Sequence, residues 1–126
     1  MHLQWGSLTN EMAHLDDGVS IDLSDHSVVR RGKRYPLSHL QYRLLLCMAA
    51  QVNQLVKKDT LLQQVWETTL VSPNDVHLCV SRTRKVLEDV PAQPKYLHTI
   101  HGQGYILRSY SHMGANRSTE RNGFSK

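Results

Sequence analysis

The clearest pattern of apolar and polar positions covers residues 70–87, LVSPNDVHLCVSRTRKVL, and predicts one amphipathic helix. Its start signal comprises Ser72 as the cap, Pro73 at the first helical position and Asp75 three residues after the cap. One side of the predicted helix carries Val76, Val80, Thr83 and Leu87, flanked by Cys79 and Val86. The opposite side carries Asn74, Leu78, Ser81, Arg82 and Lys85. The first side predicts a face packed on a core, and the second predicts a face open to a partner.

The N-terminal third shows the alternation that is typical of β-strands. Val19, Ile21 and Leu23 alternate with polar residues, which predicts a strand with one buried face. Gly32 lies between two short β-prone runs, residues 27–30 and 34–37, and predicts a hairpin turn. The residues around Trp5 could add an edge strand. This part of the chain therefore predicts a small antiparallel sheet that belongs to the main domain.

Two further helices are predicted before the long one. The first begins at Ser38, where Gln41 completes a capping box, and continues to about residue 51. The second runs from about residue 58 to 66, with Lys57 as a poor cap and Trp66 as the expected core anchor. Because only residues 67–71 separate it from the long helix, the two helices form a helix-turn-helix candidate.

The end of the pattern predicts a β-hairpin. Two β-prone runs, residues 96–100 and 105–108, flank His101-Gly102-Gln103-Gly104. The G-x-G in this turn joins two strands and opens no helix, so it is no dinucleotide motif. The order of sheet, three helices and hairpin predicts an α+β winged helix-turn-helix fold over residues 18–109. We expect residues 1–17 to contribute an edge strand at most, and the polar residues 110–126 to be a disordered tail.

The charge distribution favours a polyanionic partner. The chain has a net charge of +4, but residues 11–25 carry five of the 11 acidic residues and no lysine or arginine. The rest of the chain is therefore strongly basic, as in many nucleic-acid-binding domains and also in some proteins that are basic for solubility alone. No apolar run has the length of a membrane span or a signal peptide, so we expect a cytoplasmic, nucleoid-associated protein.

Candidate chemistry beyond binding is weak. Cys47 and Cys79 each lie in an apolar helical pattern, and they are predicted to be buried free thiols. The eight histidines are scattered, and His98 with His101 forms the one close pair; without a third ligand we predict no metal site. No serine, histidine and acidic residue are arranged for nucleophilic catalysis in the predicted fold. We therefore expect no enzymatic activity and no cofactor.

Four segments carry a family resemblance: YPLSHLQYRLLLCM, LVKKDTLLQQVW, VHLCVSRTRKVLED and YLHTIHGQGYIL. Together they resemble the OmpR/PhoB-type winged-helix DNA-binding domain of bacterial transcription regulators. The most specific features are the tryptophan that closes the second helix, S-R-x-R-K in the third helix, and T-I-x-G-x-G-Y in the hairpin. Within the family the chain is more similar to ToxR/CadC-like regulators, which carry no receiver domain before this one. We therefore expect its switch not to be phosphorylation by a partner kinase.

The resemblance implies a sequence-specific regulator that binds double-stranded promoter DNA, with the third helix in the major groove and the wing near the minor groove. The matching helix positions are Asn74, His77, Leu78, Ser81, Arg82, Arg84 and Lys85. We expect Arg82 to contact guanine and Leu78 a thymine methyl group. A solvated arginine and a lone exposed leucine are the alternatives. Phosphate contacts are assigned to Arg84, Lys85 and Lys58.

In the wing, the resemblance assigns Thr99 a phosphate or groove contact. His101 lies where many relatives carry an arginine that reaches the minor groove, so either the wing contributes less or Gln103 and Arg108 replace it.

Thr83 replaces a leucine of the buried stripe, and we expect its hydroxyl to bond to the preceding turn.

Two protein contacts also follow from the resemblance: RNA polymerase at residues 67–71, and a homodimer on DNA. The alternative function is a winged-helix module that binds a protein through the same exposed helix face.

Overall fold

The computed structural model describes residues 12–66 and 71–110. The predicted strand around Trp5, residues 67–70 of the link and the tail beyond residue 110 lie outside the described residues. Within those ranges, the elements follow the predicted order of sheet, three helices and hairpin.

The N-terminal sheet has four antiparallel strands in the order β1 (Met12–Asp16), β2 (Val19–Asp22), β3 (Ser27–Arg30) and β4 (Lys33–Pro36). Strand β1 is an edge strand of this sheet, and it lies within residues 1–17, the segment expected to contribute an edge strand at most. The β3–β4 hairpin closes through a two-residue turn in which Arg31 has φ 51° and Gly32 has φ 84°. Two positive φ values in succession favour glycine at one position, which explains why Gly32 marks the turn.

Strand β2 differs from its prediction. All four of its residues are buried, including Ser20 and Asp22, which were expected on an open polar face. Side chains from β1 and β4 cover that face: His14 Nδ1 lies 2.8 Å from Ser20 Oγ, and Arg34 donates to the Asp22 carboxylate at 2.8 Å. The prediction of one buried face was wrong because these pairs satisfy the polar groups without water.

Asp22 makes the stability of this sheet sensitive to acid. Its carboxylate accepts from Arg34 and from the backbone N–H groups of Ser24 (3.1 Å) and Asp25 (3.0 Å). The hydrogen bond from Arg34, followed by those of the turn, lowers the pKa of Asp22, although burial opposes the shift. A lowered pKa in the folded state means that the stabilisation is present above the ordinary aspartate pKa and is lost as the pH falls through the folded-state value.

We therefore expect Asp22→Asn to lower the free energy of unfolding at neutral pH, and the difference from the wild-type protein to shrink as the pH falls below the ordinary aspartate pKa. Urea unfolding followed by circular dichroism across this range measures the difference. The exposed Asp17 in the β1–β2 turn provides the control, because Asp17→Asn should change stability little at any pH. A difference for Asp22→Asn that stays constant down to the lowest pH would contradict the prediction.

The first helix, α1 (His39–Ala49), begins as predicted. The Ser38 N–H donates to Gln41 Oε1 at 2.8 Å, and the Gln41 N–H donates to Ser38 Oγ at 3.2 Å, so the capping box is complete. Its buried side packs Leu44, Leu45 and Met48 into the core. Cys47 on this helix and Cys79 are both buried free thiols, as predicted.

The second helix changes character along its length. Helix α2 (Lys58–Leu61) continues into a π-helical turn (Leu62–Trp66), and Lys57 at its cap position makes no side-chain capping bond. Val65 is buried, whereas Trp66 is only partly buried and packs against the core from its edge. Trp66 therefore packs against the core, as predicted, but part of its side chain remains exposed to solvent.

The third helix, α3 (Pro73–Leu87), buries the predicted stripe, which comprises Val76, Cys79, Val80, Thr83 and Leu87. Thr83 Oγ1 donates to the Cys79 carbonyl at 2.7 Å, so the bond to the preceding turn is confirmed. This bond satisfies the hydroxyl of a fully buried side chain. The stripe lies in the same core as the helices before it.

The wing is a three-stranded sheet. Strands β6 (Leu97–Ile100) and β7 (Gly104–Leu107) form the predicted hairpin, and β5 (Val56–Lys57) pairs with β7 on its other side. The sequence did not predict β5, because two residues are too short to show a period. The α+β winged helix-turn-helix fold is confirmed. In the described residues no helix combines the length and apolar character that a membrane crossing requires.

Candidate nucleic-acid interface

The start of α3 is held by a carboxylate. Asp75 Oδ2 accepts from the Ser72 N–H at 3.0 Å and from the Ser72 hydroxyl at 3.1 Å. Pro73 occupies the first turn, where its missing N–H costs no helical hydrogen bond. The predicted start signal is confirmed, and it orients the first outward-facing residues of the helix.

The outer face of α3 carries the side chains that were predicted to meet a partner. Those exposed to solvent are Asn74, His77, Leu78, Arg82 and Lys85, and Ser81 is partly buried among them. Arg82 and Lys85 give this face its positive charge. The opposite, buried stripe keeps this polar and basic face outward, so the predicted separation of the two faces is confirmed.

Leu78 is not a lone apolar residue on this face. Its side chain is 40% exposed and lines a cleft of about 150 Å³ together with the 38%-exposed Leu40 of α1 and Trp66 of the π turn. Arg82 and the capping residues of α1 and α3 also line this cleft. The places of Leu40 and Trp66 beside Leu78 were not predicted, since they depend on the packing of α1, the π turn and α3 against one another.

The wing brings further polar groups close to the start of α2. Lys57 pairs with Gly104, which places the exposed Lys57 and the partly buried Lys58 beside the wing. Sequence analysis treated Lys57 only as a poor cap, because its pairing with the wing is a long-range contact. The wing tip presents His101 and Gln103 to solvent, and the Gln103 N–H closes the turn on the Ile100 carbonyl at 2.9 Å.

Arg108 lies at the other end of the hairpin from this tip. Its backbone N–H donates to the Tyr96 carbonyl at 2.7 Å, beyond the last pair of the β6–β7 ladder. Strand residues advance by about 3.3 Å each, so the length of the hairpin separates Arg108 from His101. Of the two proposed replacements for the missing arginine, only Gln103 lies at the tip.

Arg84 has a different position from the other basic residues of α3. Its side chain is partly buried under the wing, where Nε donates to the Leu97 carbonyl at 2.9 Å and Nη2 donates to Thr99 Oγ1 at 2.8 Å. Burial lowers the pKa of the Arg84 guanidinium, which nevertheless stays charged at neutral pH because arginine starts far above it. The structure thus joins two of the predicted contact residues, Arg84 and Thr99, to each other.

The carboxyl end of α3 is anchored on the N-terminal sheet and on the wing. Arg30 Nε donates to the Val86 carbonyl at 2.9 Å, and its Nη1 donates to Asp89 at 3.0 Å. Glu88, the residue that ends the helix, is 2% exposed, and its carboxylate accepts the backbone N–H groups of Lys95, Tyr96 and Leu97. These contacts hold α3 in place without using its outer face.

The fold and the exposed basic helix define a winged-helix DNA-binding domain. A family model described as the C-terminal domain of transcriptional regulatory proteins matches residues 32–107. The chain belongs to this family, the OmpR/PhoB-type DNA-binding domains of transcription regulators. Within the described residues, no group of three or more His, Cys, Asp or Glu side chains is arranged to hold a metal ion.

Individual relatives agree with this assignment. The DNA-binding response regulator MtrA of Mycolicibacterium smegmatis is 37% identical over 75% of this chain and 42% of its own length. The response regulator DrrB of Thermotoga maritima, an OmpR/PhoB homologue, superposes with a TM-score of 0.71 at 34% identity, over 78% of this chain and 44% of DrrB. The DNA-binding domain of Klebsiella pneumoniae RstA superposes with a TM-score of 0.68 at 24% identity, over 78% of this chain and 97% of that domain. The chain spans less than half the length of MtrA and DrrB.

Proposed function

We propose that this domain binds double-stranded promoter DNA in a sequence-specific manner and thereby regulates transcription, with α3 in the major groove and the β6–β7 wing near the minor groove. The observation that carries the proposal is the exposed polar and basic face of α3, kept outward by a fully buried opposite stripe. A single helix fits into the major groove, where each base pair presents a distinct pattern of donors and acceptors. The RstA domain, which shares this fold, was crystallised in complex with its RstA box.

The roles on this face follow from side-chain chemistry. Arg82 is exposed, and its guanidinium can donate two hydrogen bonds to O6 and N7 of one guanine. Leu78 and the cleft beside it offer an apolar surface to a thymine methyl group. Asn74, His77 and Ser81 are assigned to polar contacts with the groove on the same helix face. Lys85 and Lys58 are assigned to phosphates, together with the newly recognised Lys57.

The wing is assigned the smaller part of the contact. His101 and Gln103 lie exposed at its tip and can reach the minor groove, although neither matches the length and charge of an arginine. The contacts of Thr99 and Arg84 with DNA stay predictions, and the two side chains are hydrogen-bonded to each other.

Two substitutions on α3 test base reading separately from phosphate binding. Arg82→Ala should cost about 1–3 kcal/mol of discrimination between the preferred site and a base-substituted site. Lys85→Ala should weaken binding to all sequences alike. It should also make the negative slope of log affinity against log salt shallower by about 0.9, since one phosphate contact is lost. The measurement is fluorescence anisotropy with duplexes selected by the wild-type domain from a random pool, repeated at several salt concentrations.

The wild-type control decides between the two candidate functions. A DNA-binding regulator loses affinity steeply with salt and prefers its selected duplex over a scrambled one. Equal binding to selected and scrambled duplexes at moderate salt would overturn the proposal and favour a protein-binding module that uses the same face. The exposed leucines beside Arg82 give that alternative its apolar contact surface.

Two further partners belong to this proposal. Residues 67–71 link the two helices of the helix-turn-helix, and we assign them the contact with RNA polymerase that the family resemblance implies. Binding of two copies to neighbouring half-sites is proposed as the arrangement on DNA. Both assignments rest on the resemblance.

A further inference from the structure

Arg84 of α3 contacts the wing through two hydrogen bonds of one guanidinium group. Arg84 Nε donates to the Leu97 carbonyl at 2.9 Å, and Arg84 Nη2 donates to Thr99 Oγ1 at 2.8 Å. The two acceptors are two residues apart on β6, so they lie on one strand. A planar guanidinium holds its donors in a fixed geometry, and two such bonds therefore restrain both the distance and the rotation between α3 and β6.

The burial of this contact separates Arg84 from the other basic residues of its helix. Lys85 and Arg82 are exposed on the outer face, whereas Arg84 lies partly buried between α3 and the wing. Two donor atoms of Arg84, Nε and Nη2, thus bind groups of this chain. A residue that binds a DNA phosphate needs its charged group exposed on the outer face, as the Lys85 side chain is.

On the opposite flank of α3, a second arginine makes a similar forked contact. Arg30 Nε donates to the Val86 carbonyl at 2.9 Å, its Nη1 donates to Asp89, and its guanidinium lies 4.5 Å from the centre of the Tyr35 ring. One arginine therefore ties α3 to the N-terminal sheet, and the other ties it to the wing. Of these two arginines, only Arg84 contacts strand β6 of the wing.

We propose that Arg84 and Thr99 form a brace that positions the wing relative to α3, so that both can reach DNA at the same time. This inference rests on the proposed function. Arg84 and Thr99 are then positioning residues rather than phosphate ligands. If α3 and the wing are already held in their binding arrangement, no free energy of binding is lost in ordering the wing, and the domain binds DNA more tightly.

Charge-conserving and near-isosteric variants test the brace. Arg84→Lys keeps the positive charge, but a single ammonium group cannot reproduce the fork. We expect it to bind the selected duplex about tenfold more weakly, with the base preference at the Arg82 position and the salt slope both unchanged. Thr99→Val should have a similar effect, Thr99→Ser should bind like the wild-type protein, and Arg84→Lys combined with Thr99→Val should be no weaker than Arg84→Lys alone.

Lys85→Ala is the matched comparison on the same helix. Lys85→Ala should make the salt dependence of the affinity shallower by about 0.9 in slope. Arg84→Met should weaken binding but leave the slope unchanged. The brace is overturned if Arg84→Lys binds like the wild-type protein, if Arg84→Met lowers the slope as Lys85→Ala does, or if the effects of Arg84→Lys and Thr99→Val add. Should Arg84→Met fail to fold, the Thr99 variants decide the question alone.

A measurement without DNA separates this inference from the proposed function. Hydrogen exchange of the backbone amides in residues 97–107 of the free protein should be about tenfold faster in Arg84→Lys and Thr99→Val than in the wild-type protein. Faster exchange with no specific binding by the wild-type protein would leave the brace in place and overturn the DNA-binding proposal. Unchanged exchange together with specific wild-type binding would overturn the brace alone.

Discussion

Gly104→Ala is expected to lower the free energy of unfolding by at least ~3 kcal/mol, which corresponds to a fall of more than about 10 °C in Tm. A Cβ atom at position 104 would lie 2.1 Å from the Val56 carbonyl oxygen and 2.9 Å from the Lys57 Cα. Both are backbone atoms of β5, so no side-chain rotation can relieve the overlap. The β5 and β7 strands would have to separate, and the start of α2 would move with β5.

Gly18→Ala is the control for this substitution. Gly18 lies in the β1–β2 turn with open space around its hypothetical Cβ and no positive φ, so we expect a change within ~1 kcal/mol. Thermal unfolding followed by circular dichroism measures both variants. Equal Tm values for Gly104→Ala and the wild-type protein would show that β5 does not approach β7 as closely as the structure has it.

Glu88→Gln is expected to destabilise the protein by about 2–4 kcal/mol. The Glu88 carboxylate is 2% exposed and accepts the N–H groups of Lys95 (2.8 Å), Tyr96 (3.1 Å) and Leu97 (2.8 Å). A glutamine of the same shape keeps one acceptor oxygen and turns a donor towards the remaining N–H groups. At least one buried N–H would then be unsatisfied, at the point where the chain passes from α3 to β6.

Asp89→Asn, one residue further on, removes the charge of an exposed carboxylate and is therefore the control for the buried carboxylate of Glu88. The Asp89 side chain is 51% exposed and pairs with Arg30 and Arg31, and exposed ion pairs contribute little to stability. We therefore expect a much smaller loss than for Glu88→Gln in urea unfolding experiments. Similar losses for the two variants would contradict the view that the buried carboxylate anchors the start of the wing.

Local signals in the sequence predicted most of the secondary structure correctly. The capping boxes at Ser38 and Ser72 and the turn at Gly32 act within a few residues, so they can be recognised without any tertiary contact. The buried stripe of α3 follows from helical periodicity alone, and it also determines which residues face outward. Fold class and the exposed face of the candidate interface were therefore predictable.

Errors arose where distant residues decide the environment. Asp22 alternates with apolar residues as an exposed position would, yet Arg34 covers it from β4. Trp66 packs against the core as predicted, but the π turn that carries it has no recognisable pattern in the sequence, so its place beside Leu78 was not predicted. Strand β5 is too short to predict, and it forms only because β7 offers it a backbone partner.

The sequence by itself determined that α3 is an amphipathic helix with a basic outer face, and that a hairpin follows it, because both depend on periodicity and capping over short distances. Only the tertiary structure decided how these two elements are joined. Arg84 and Lys85 are adjacent basic residues on one helix, but packing places the first partly buried beneath the wing and leaves the second in solvent. The difference between a positioning residue and a candidate phosphate contact lies in the residues that surround each side chain, and those come from distant parts of the chain.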